Sequence, residues 1–459
     1  MRPLGFCRYL EEYGWCARVL TTDAQSVWPP LQVDAELCRR LPSSLWVDRV
    51  PHNNSLRDLM KIRNQVRQWF RRQEPQILAI GVSQSGRDKS SGHSKSRLMD
   101  LVAERFLSFP DPQCFWLRPA LKQLARIFPK DRPDVVLATG KPWTNLLVGK
   151  LIAQQFGIPF IADFRDPWVH NPVSYETSLC AKAAMKLERN ICGAAFRVIT
   201  TTAELRHRFV ADYPELSQKF VTITNGFDDF DCGYAANSRQ HEQADVGVSR
   251  SNLEISHFGT VYGNRNPKAL LQAIKELFAE KLIVPGQLRL RFVGAWALEN
   301  GLSETLVQEL EREGIVVREG PIPHAACLEQ MARTGVLLLL QPGYPLQIPA
   351  KVFEYIACGR PVLVLGGEGA TANLVTRYGL GTCCQNETTE IKSLLLRIIR
   401  GETKMTPPRL KTTEQFSYRN LTGELAAVLE SASTERLTSH KSIVNFARIS
   451  RHVRHSGNL

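Results

Sequence analysis

The sequence predicts an α/β protein made of two doubly wound domains, each a parallel sheet with helices on both faces. Three observations carry that reading. The chain has 459 residues, and domains usually run to about 100–200 residues. Short apolar or β-branched runs alternate with segments of helical period, the pattern of parallel strands joined by right-handed crossovers. The alternation is interrupted once, by a polar stretch near the middle of the chain.

In the first series, "DVVLAT" (134–139), "PFIADF" (159–164) and "RVITTT" (197–202) read as short strands bounded by polar residues, Gly or Pro. Between the first two lies "PWTNLLVGKLIAQQFGI", apolar at helical spacing, with Gly157 placed to cap its end. A second helix is expected over 174–192. The stretch 225–252 is rich in Gly, Asn and Ser and has no period, which marks a linker. A second series follows, with strands expected at 253–259, 288–294, 315–320, 335–341 and 360–366. Helices fall between them, notably at 266–280 and 324–334. An amphipathic helix at 417–431 closes the chain, and the basic remainder reads as disordered from its composition. The expected division is a domain over 1–228, a linker over 229–252, a domain over 253–416, a closing helix over 417–432 and a tail over 433–459.

Composition excludes several classes. Apolar residues make up 43% and charged residues 22%, ordinary for a globular protein. The 11 cysteines are scattered, with no C-x-x-C and no Cys/His pairing at zinc spacing. That favours reduced thiols in a cytoplasmic protein, and no metal is expected. No run of 18 apolar residues suggests a membrane span, and "MRPLGFCRYLEEYGW" has no signal-peptide core. The net charge of +13 is concentrated in "RDLMKIRNQVRQWFRR" (57–72) and in the tail. An anionic membrane surface is one reading of it, and solvated faces are the ordinary one. No DNA or RNA recognition motif accompanies the charge, so nucleic acid is not expected as a partner.

Three stretches concentrate chemistry. "FGTVYGNRNPKALL" (258–271) follows a strand and opens a helix. Gly259 and Gly263 allow close backbone approach, and Arg265 and Lys268 stand where a helix N-terminus already favours an anion. Such a stretch is also often only a turn. Lys351 and Glu354 follow in "QIPAKVFEYIACGRPVLVLGG" (347–367), at i and i+3 on one helix face. They suit a phosphate and the hydroxyls of a ribose, or else a surface ion pair worth little. In "IADFRDPWVHNP" (161–172), Asp163, Arg165 and Asp166 end a strand, where α/β sites form. The alternative there is an Asp166 turn cap with Arg165 paired to Asp163. His170 reads as a loop histidine. Neither G-x-S-x-G nor G-x-x-x-x-G-K-[ST] is present.

In their order, these stretches resemble a known family. "IPAKVFEYIACGRPVL" is similar to the donor-site signature of GT-B glycosyltransferases, specifically the large retaining group called family four. "FGTVYGNRNPKALLQAI", "VTITNGFD" and "GPIPHAACLEQMARTGVLLLL" match in the same order. "FPDPQCFWLRPA", "PDVVLATGKPW" and "IPFIADFRDPW" resemble the first domain of a bacterial subgroup of cell-surface polysaccharide synthesis.

The resemblance implies two Rossmann-like domains facing a cleft, the first on the acceptor side and the second binding a nucleotide sugar. Glu354 would hold the ribose, Arg265 and Lys351 the diphosphate, and Gly259 would lie in the phosphate loop. Asp166, with Arg165, falls where many relatives carry His-Asp near the transferred sugar, and Asp163 lies on the acceptor side. The implied activity is that of a metal-independent hexosyl- or related transferase without a cofactor, its substrate a UDP- or GDP-sugar. Its acceptor would be a lipid-linked or free saccharide, and its place the cytoplasm, peripheral to the inner membrane face, where 57–72 would touch anionic lipid.

Two departures stand out. The family's Glu-x7-Glu pair would put its first Glu, a donor-sugar contact, at 346, where this chain has Leu346. By the resemblance, relatives also begin with a strand and a glycine-rich loop before the helix matching "RPLGFCRYLEEYGW", so the expectation is that the first strand of the N-terminal domain is missing or that the start codon was placed too late. Two alternatives remain: a nucleotide-sugar epimerase of the same fold, and a catalytically silent GT-B protein that acts as a binding or scaffold partner.

Overall fold

The computed structural model describes residues 2–27, 38–52, 109–171, 178–229, 253–298, 301–408 and 413–453. The basic segment 57–72, nearly all of the linker and the last residues of the tail lie outside these. In chain order the elements begin α1 (Arg2–Tyr9), β1 (Arg18–Thr22), β2 (Trp46–Val50), α2 (Leu117–Ile127), β3 (Val136–Gly140) and α3 (Thr144–Phe156). They continue with β4 (Phe160–Phe164), α4 (Ser178–Ala194), β5 (Arg197–Thr200), α5 (Ala203–Asp212) and β6 (Phe220–Thr222). The second series is β7 (Leu253–Phe258), α6 (Lys268–Ala279), β8 (Leu288–Val293), α7 (Leu302–Arg312), β9 (Val316–Glu319), α8 (His324–Arg333) and β10 (Val336–Leu340). Then come α9 (Lys351–Cys358), β11 (Val362–Leu365), α10 (Ala370–Arg377), β12 (Gly381–Cys384), α11 (Thr388–Ile399) and α12 (Tyr418–Val453).

The chain divides into two compact units. One comprises residues 16–163, 175–196 and 436–459, the other residues 1–15, 164–174 and 197–435. In the former, β1 and β2 pair in parallel, and α2 packs on α3 through Ile127, Phe128 and Ile152. Helix α3 ends where the sequence expects, with Gly157 in the left-handed region at φ 59°. In the latter unit, β5 and β6 are parallel. Helix α1 is tied to the chain near residue 228: Asp228 pairs with Arg8 and accepts a 3.0 Å hydrogen bond from the Tyr9 hydroxyl. Helix α12 runs unbroken to Val453, past the end expected near 432. Between 433 and 453 there is no Gly or Pro to stop it.

The six-stranded sheet positions the site. Its order is β12-β11-β10-β7-β8-β9, with all pairs parallel. Strand β10 is "VLLLL", buried throughout, the run expected of a strand covered on both faces. Alternation sorts its side chains. Leu338 and Leu340 join a core with Leu270 of α6, Leu306 of α7 and Ile391 of α11. Leu337 and Leu339 face the other way, toward Leu328 of α8, Phe353 of α9 and Leu374 of α10. Helices therefore cover both faces, and the chain direction of winding reverses between β7 and β10. The crevice at the carboxyl ends of those two strands is where such sheets bind ligands.

The crevice has a visible cause. Pairing of β7 with β10 is limited to Val336↔Ile255 and Leu337↔Ser256. Beyond it, the Tyr355 hydroxyl spans the gap. It donates to the Leu338 carbonyl and accepts from the Phe258 N–H, each at 3.2 Å. The His257 Nδ1 donates to the same carbonyl at 3.0 Å. Replacing Tyr355 by Phe leaves this buried backbone pair without its bridge. Tyr355→Phe is expected to destabilise the sheet by about 1–3 kcal/mol, read as a lowered melting temperature in a thermal unfolding scan; an unchanged transition would show that the bridge contributes nothing.

Candidate functional site

Four residues picked out in the sequence meet at the mouth of this crevice. Gly259 follows β7 directly and sits at φ 123°, a conformation that L side chains rarely adopt. A Cβ there would overlap the ammonium of Lys351. The positive φ and the lysine both require glycine at this position. Lys351 is the first residue of α9, and its Nζ rests against the backbone that ends β7.

That ammonium lacks a neutralising partner. Among the described residues no carboxylate pairs with it, Glu354 included. Burial lowers its pKa to about 8, Arg265 pushes in the same direction, and the Glu354 carboxylate opposes both. Arg265 is held by aromatic faces instead of acids. Its guanidinium carbon lies 5.4 Å from the ring centres of Tyr262 and Tyr344, and its buried Nε has no hydrogen-bond partner. Two cations converge where strand ends and backbone N–H groups already favour an anion.

Glu354 turns away from the lysine toward His324, whose Nε2 donates to Glu354 Oε1 at 3.3 Å. The surface ion pair that the i, i+3 spacing allows does not form. His324 opens α8, thirty positions earlier in the chain, and nothing local in the sequence links it to Glu354. His257 was also not picked out. It is buried, and its pKa is lowered to about 3, chiefly by burial and then by the charge of Lys351. It is therefore a neutral imidazole, and its Nε2 makes no hydrogen bond. Lys268, by contrast, is exposed at the start of α6.

The other candidates occupy different settings. Asp166 accepts a 2.9 Å hydrogen bond from the Gln347 amide, so it lies against the loop joining β10 to α9. Arg165 offers its carbonyl to the Thr201 hydroxyl at 3.0 Å. Thr202 holds the same loop. Its hydroxyl donates to the Leu346 carbonyl at 2.8 Å and accepts from the Leu205 N–H at 3.0 Å, which caps α5. Asp163 belongs to the other unit, is 2% exposed, and accepts from the Thr139 hydroxyl at 2.8 Å. His170 donates to Asp212 at 2.6 Å.

Residues 93–226 match the model of the glycosyl transferase 4-like domain. Among solved structures, a glycosyltransferase from Rickettsia africae is 10% identical, with a TM-score of 0.54 over 94% of this chain and 93% of that one. The N-terminal domain of trehalose-6-phosphate phosphatase from Candida albicans is 11% identical, with a TM-score of 0.52 over 91% and 98%. HepE from Anabaena, solved in complex with UDP, is 16% identical, with a TM-score of 0.45 over 71% and 82%. No curated protein matches the chain. At such identities it is the fold that is shared, and the chain has the α/β, GT-B type of fold that its sequence implies.

The half-buried Lys351, with no carboxylate paired to it among the described residues, carries a stability cost in the free protein. Lys351→Met, of similar length and uncharged, is expected to raise the melting temperature of the free protein. The gain corresponds to about 1 kcal/mol. A drop in melting temperature would mean that the ammonium is stabilised by a partner within the chain.

Proposed function

We propose that this chain is a glycosyltransferase that takes its sugar from a nucleoside diphosphate sugar and passes it to an acceptor hydroxyl. The observation that carries the reading is the pair of cations, Lys351 and Arg265, that form no ion pair with a carboxylate among the described residues and are set beside Gly259 at the switch point of the six-stranded sheet. The match of residues 93–226 to a glycosyl transferase 4-like domain supports it, as does the fold shared with a glycosyltransferase.

The chemistry follows from where charge develops. As the bond from the anomeric carbon to the diphosphate breaks, its electron pair stays on the phosphate oxygen. Lys351 and Arg265 would stabilise that charge, more strongly in a partly buried site than in water. The two side chains supply the compensation that a metal ion supplies elsewhere, which is why no metal enters the reading. Glu354 would accept the hydroxyls of the ribose, held in orientation by His324. Asp166 and Arg165 would lie toward the transferred sugar, with Gln347 fixing the Asp166 carboxylate, and Asp163 would belong to the acceptor side. The nucleotide is UDP or GDP, the sugar a hexose or relative, and the anomeric configuration is retained. The acceptor is a lipid-linked saccharide of cell-surface polysaccharide synthesis, reached from the cytoplasmic face with the basic segment 57–72 on the membrane. No described helix is long and apolar enough to cross a membrane.

Two measurements test the site. UDP or GDP at about a hundred times its dissociation constant is expected to stabilise the protein by about 2.7 kcal/mol. Glu354→Ala should remove most of that thermal shift, and absence of a shift with either nucleotide would sink the donor-site reading. The second is pH dependence. A diphosphate prefers the charged lysine, so binding raises the pKa of Lys351 from about 8. Affinity should be nearly level up to pH 7, fall about twofold by pH 8, and fall by up to about tenfold per pH unit above that. In Lys351→Met the slope should vanish along with most of the affinity.

A further inference from the structure

Beside this cluster lies a second polar feature that the diphosphate reading does not use. Gln341 directly follows β10 and is 4% exposed. Its backbone N–H donates to the Leu365 carbonyl at 2.9 Å, yet its side-chain Oε1 and Nε2 are both buried without a partner. A carboxamide left with neither donor nor acceptor satisfied is costly. The side chain borders a cavity of about 10 Å³, also lined by Tyr344, the loop Gly366–Gly369 and Thr371. That loop enters α10 and lies hard against the strand end. A Cβ at Gly366 would come within 2.7 Å of the Gln341 carbonyl oxygen. Tyr344 is the ring that flanks Arg265, so the cavity and the diphosphate cluster share a wall.

Size, polarity and charge decide what fits. A volume of about 10 Å³ is that of one water-sized group. An unpaired carboxamide both donates and accepts, and so does a hydroxyl, whereas an anion satisfies only its N–H donors. The lining contains no Lys, Arg or His, and it includes Glu368. The N-terminus of α10 adds little for an anion, because the Ala370 N–H already donates to the Pro345 carbonyl at 2.7 Å. The Thr371 hydroxyl is likewise committed to the Gln347 carbonyl at 2.9 Å.

We infer that Gln341, with the 366–369 loop, forms a subsite for one uncharged hydroxyl of the sugar carried by the nucleoside diphosphate. The inference rests on the donor-site reading above and adds a specificity determinant to it. Position 346 holds Leu, which offers no side-chain polar group for a sugar. The carboxamide five residues earlier supplies one.

The experiment compares bare nucleotides with nucleotide sugars by calorimetry. The probes are UDP, GDP, UDP-glucose, UDP-galactose, UDP-N-acetylglucosamine and GDP-mannose, each with wild type, Gln341→Met and Gln341→Glu. The wild type should bind at least one sugar nucleotide more tightly than its bare nucleotide. Gln341→Met should erase that increment, about tenfold for one buried hydrogen-bonding group, while the bare nucleotide stays within about twofold. Gln341→Glu keeps the size and the acceptor but loses the donor, so it should retain part of the increment. It carries the comparison should Gln341→Met fail to fold. The inference is overturned if the variants bind sugar nucleotides as the wild type does, or if they lose bare and sugar nucleotides equally. If the wild type binds neither UDP nor GDP, the diphosphate reading itself falls and takes the subsite with it.

Discussion

The site depends on a pairing that stops early. Strands β7 and β10 lie side by side at the centre of the sheet, yet their ladder is confined to Val336↔Ile255 and Leu337↔Ser256. Had it continued, the backbone at Phe258 and Leu338 would be sealed and no crevice would open. The polar groups released by the splay are met by side chains, the Tyr355 hydroxyl and the His257 imidazole. Both come from residues whose burial keeps them uncharged: burial pushes the Tyr355 hydroxyl far above its usual range and pulls His257 to about 3. Bridge and wedge are thus electrically silent at any physiological pH. The charge in the crevice belongs to Lys351 and Arg265.

That division of labour explains the composition of the site. A neutral frame allows cations to stand unpaired without being neutralised by their surroundings. Arg265 rests between tyrosine rings, which attract a cation without pairing its charge. Lys351 lies on a glycine, the residue that lets its ammonium reach the backbone. Glu354 is near enough to oppose the loss of the lysine's proton, but its hydrogen bond goes to His324. Each contact holds a charged group in place and leaves its charge available.

Much of this was legible in the sequence, for identifiable reasons. Strands β10 and β11 announce themselves because strands covered on both faces are apolar throughout, as in "VLLLL", and β8, "LRLRFV", by its alternation of apolar and charged residues. Gly259, Arg265, Lys351 and Glu354 could be picked out because they fall next to strand ends, where parallel sheets build sites. Strand β12, "GTCC", was not foreseen, since an edge strand of intermediate burial needs no apolar run. Nor were the partners of the site residues. His324 meets Glu354, Gln347 meets Asp166 and Tyr344 meets Arg265 only through packing of elements far apart in the chain. Spacing along one helix suggested a Lys351–Glu354 pair, and tertiary contacts gave each residue a different neighbour. Gln341 carried no signal, because a glutamine just past a strand is unremarkable until its burial is known.

The hydroxyl of Thr202 has a bearing on how such a protein changes over time. It caps α5 and grips the loop joining β10 to α9 through the carbonyl of residue 346. Every amino acid brings that carbonyl. The side chain at 346 is therefore uncoupled from the anchorage of its own loop, and drift at this position leaves the scaffold unaltered. A lineage can exchange the side chain there, a carboxylate for leucine included, and keep the loop anchored as before.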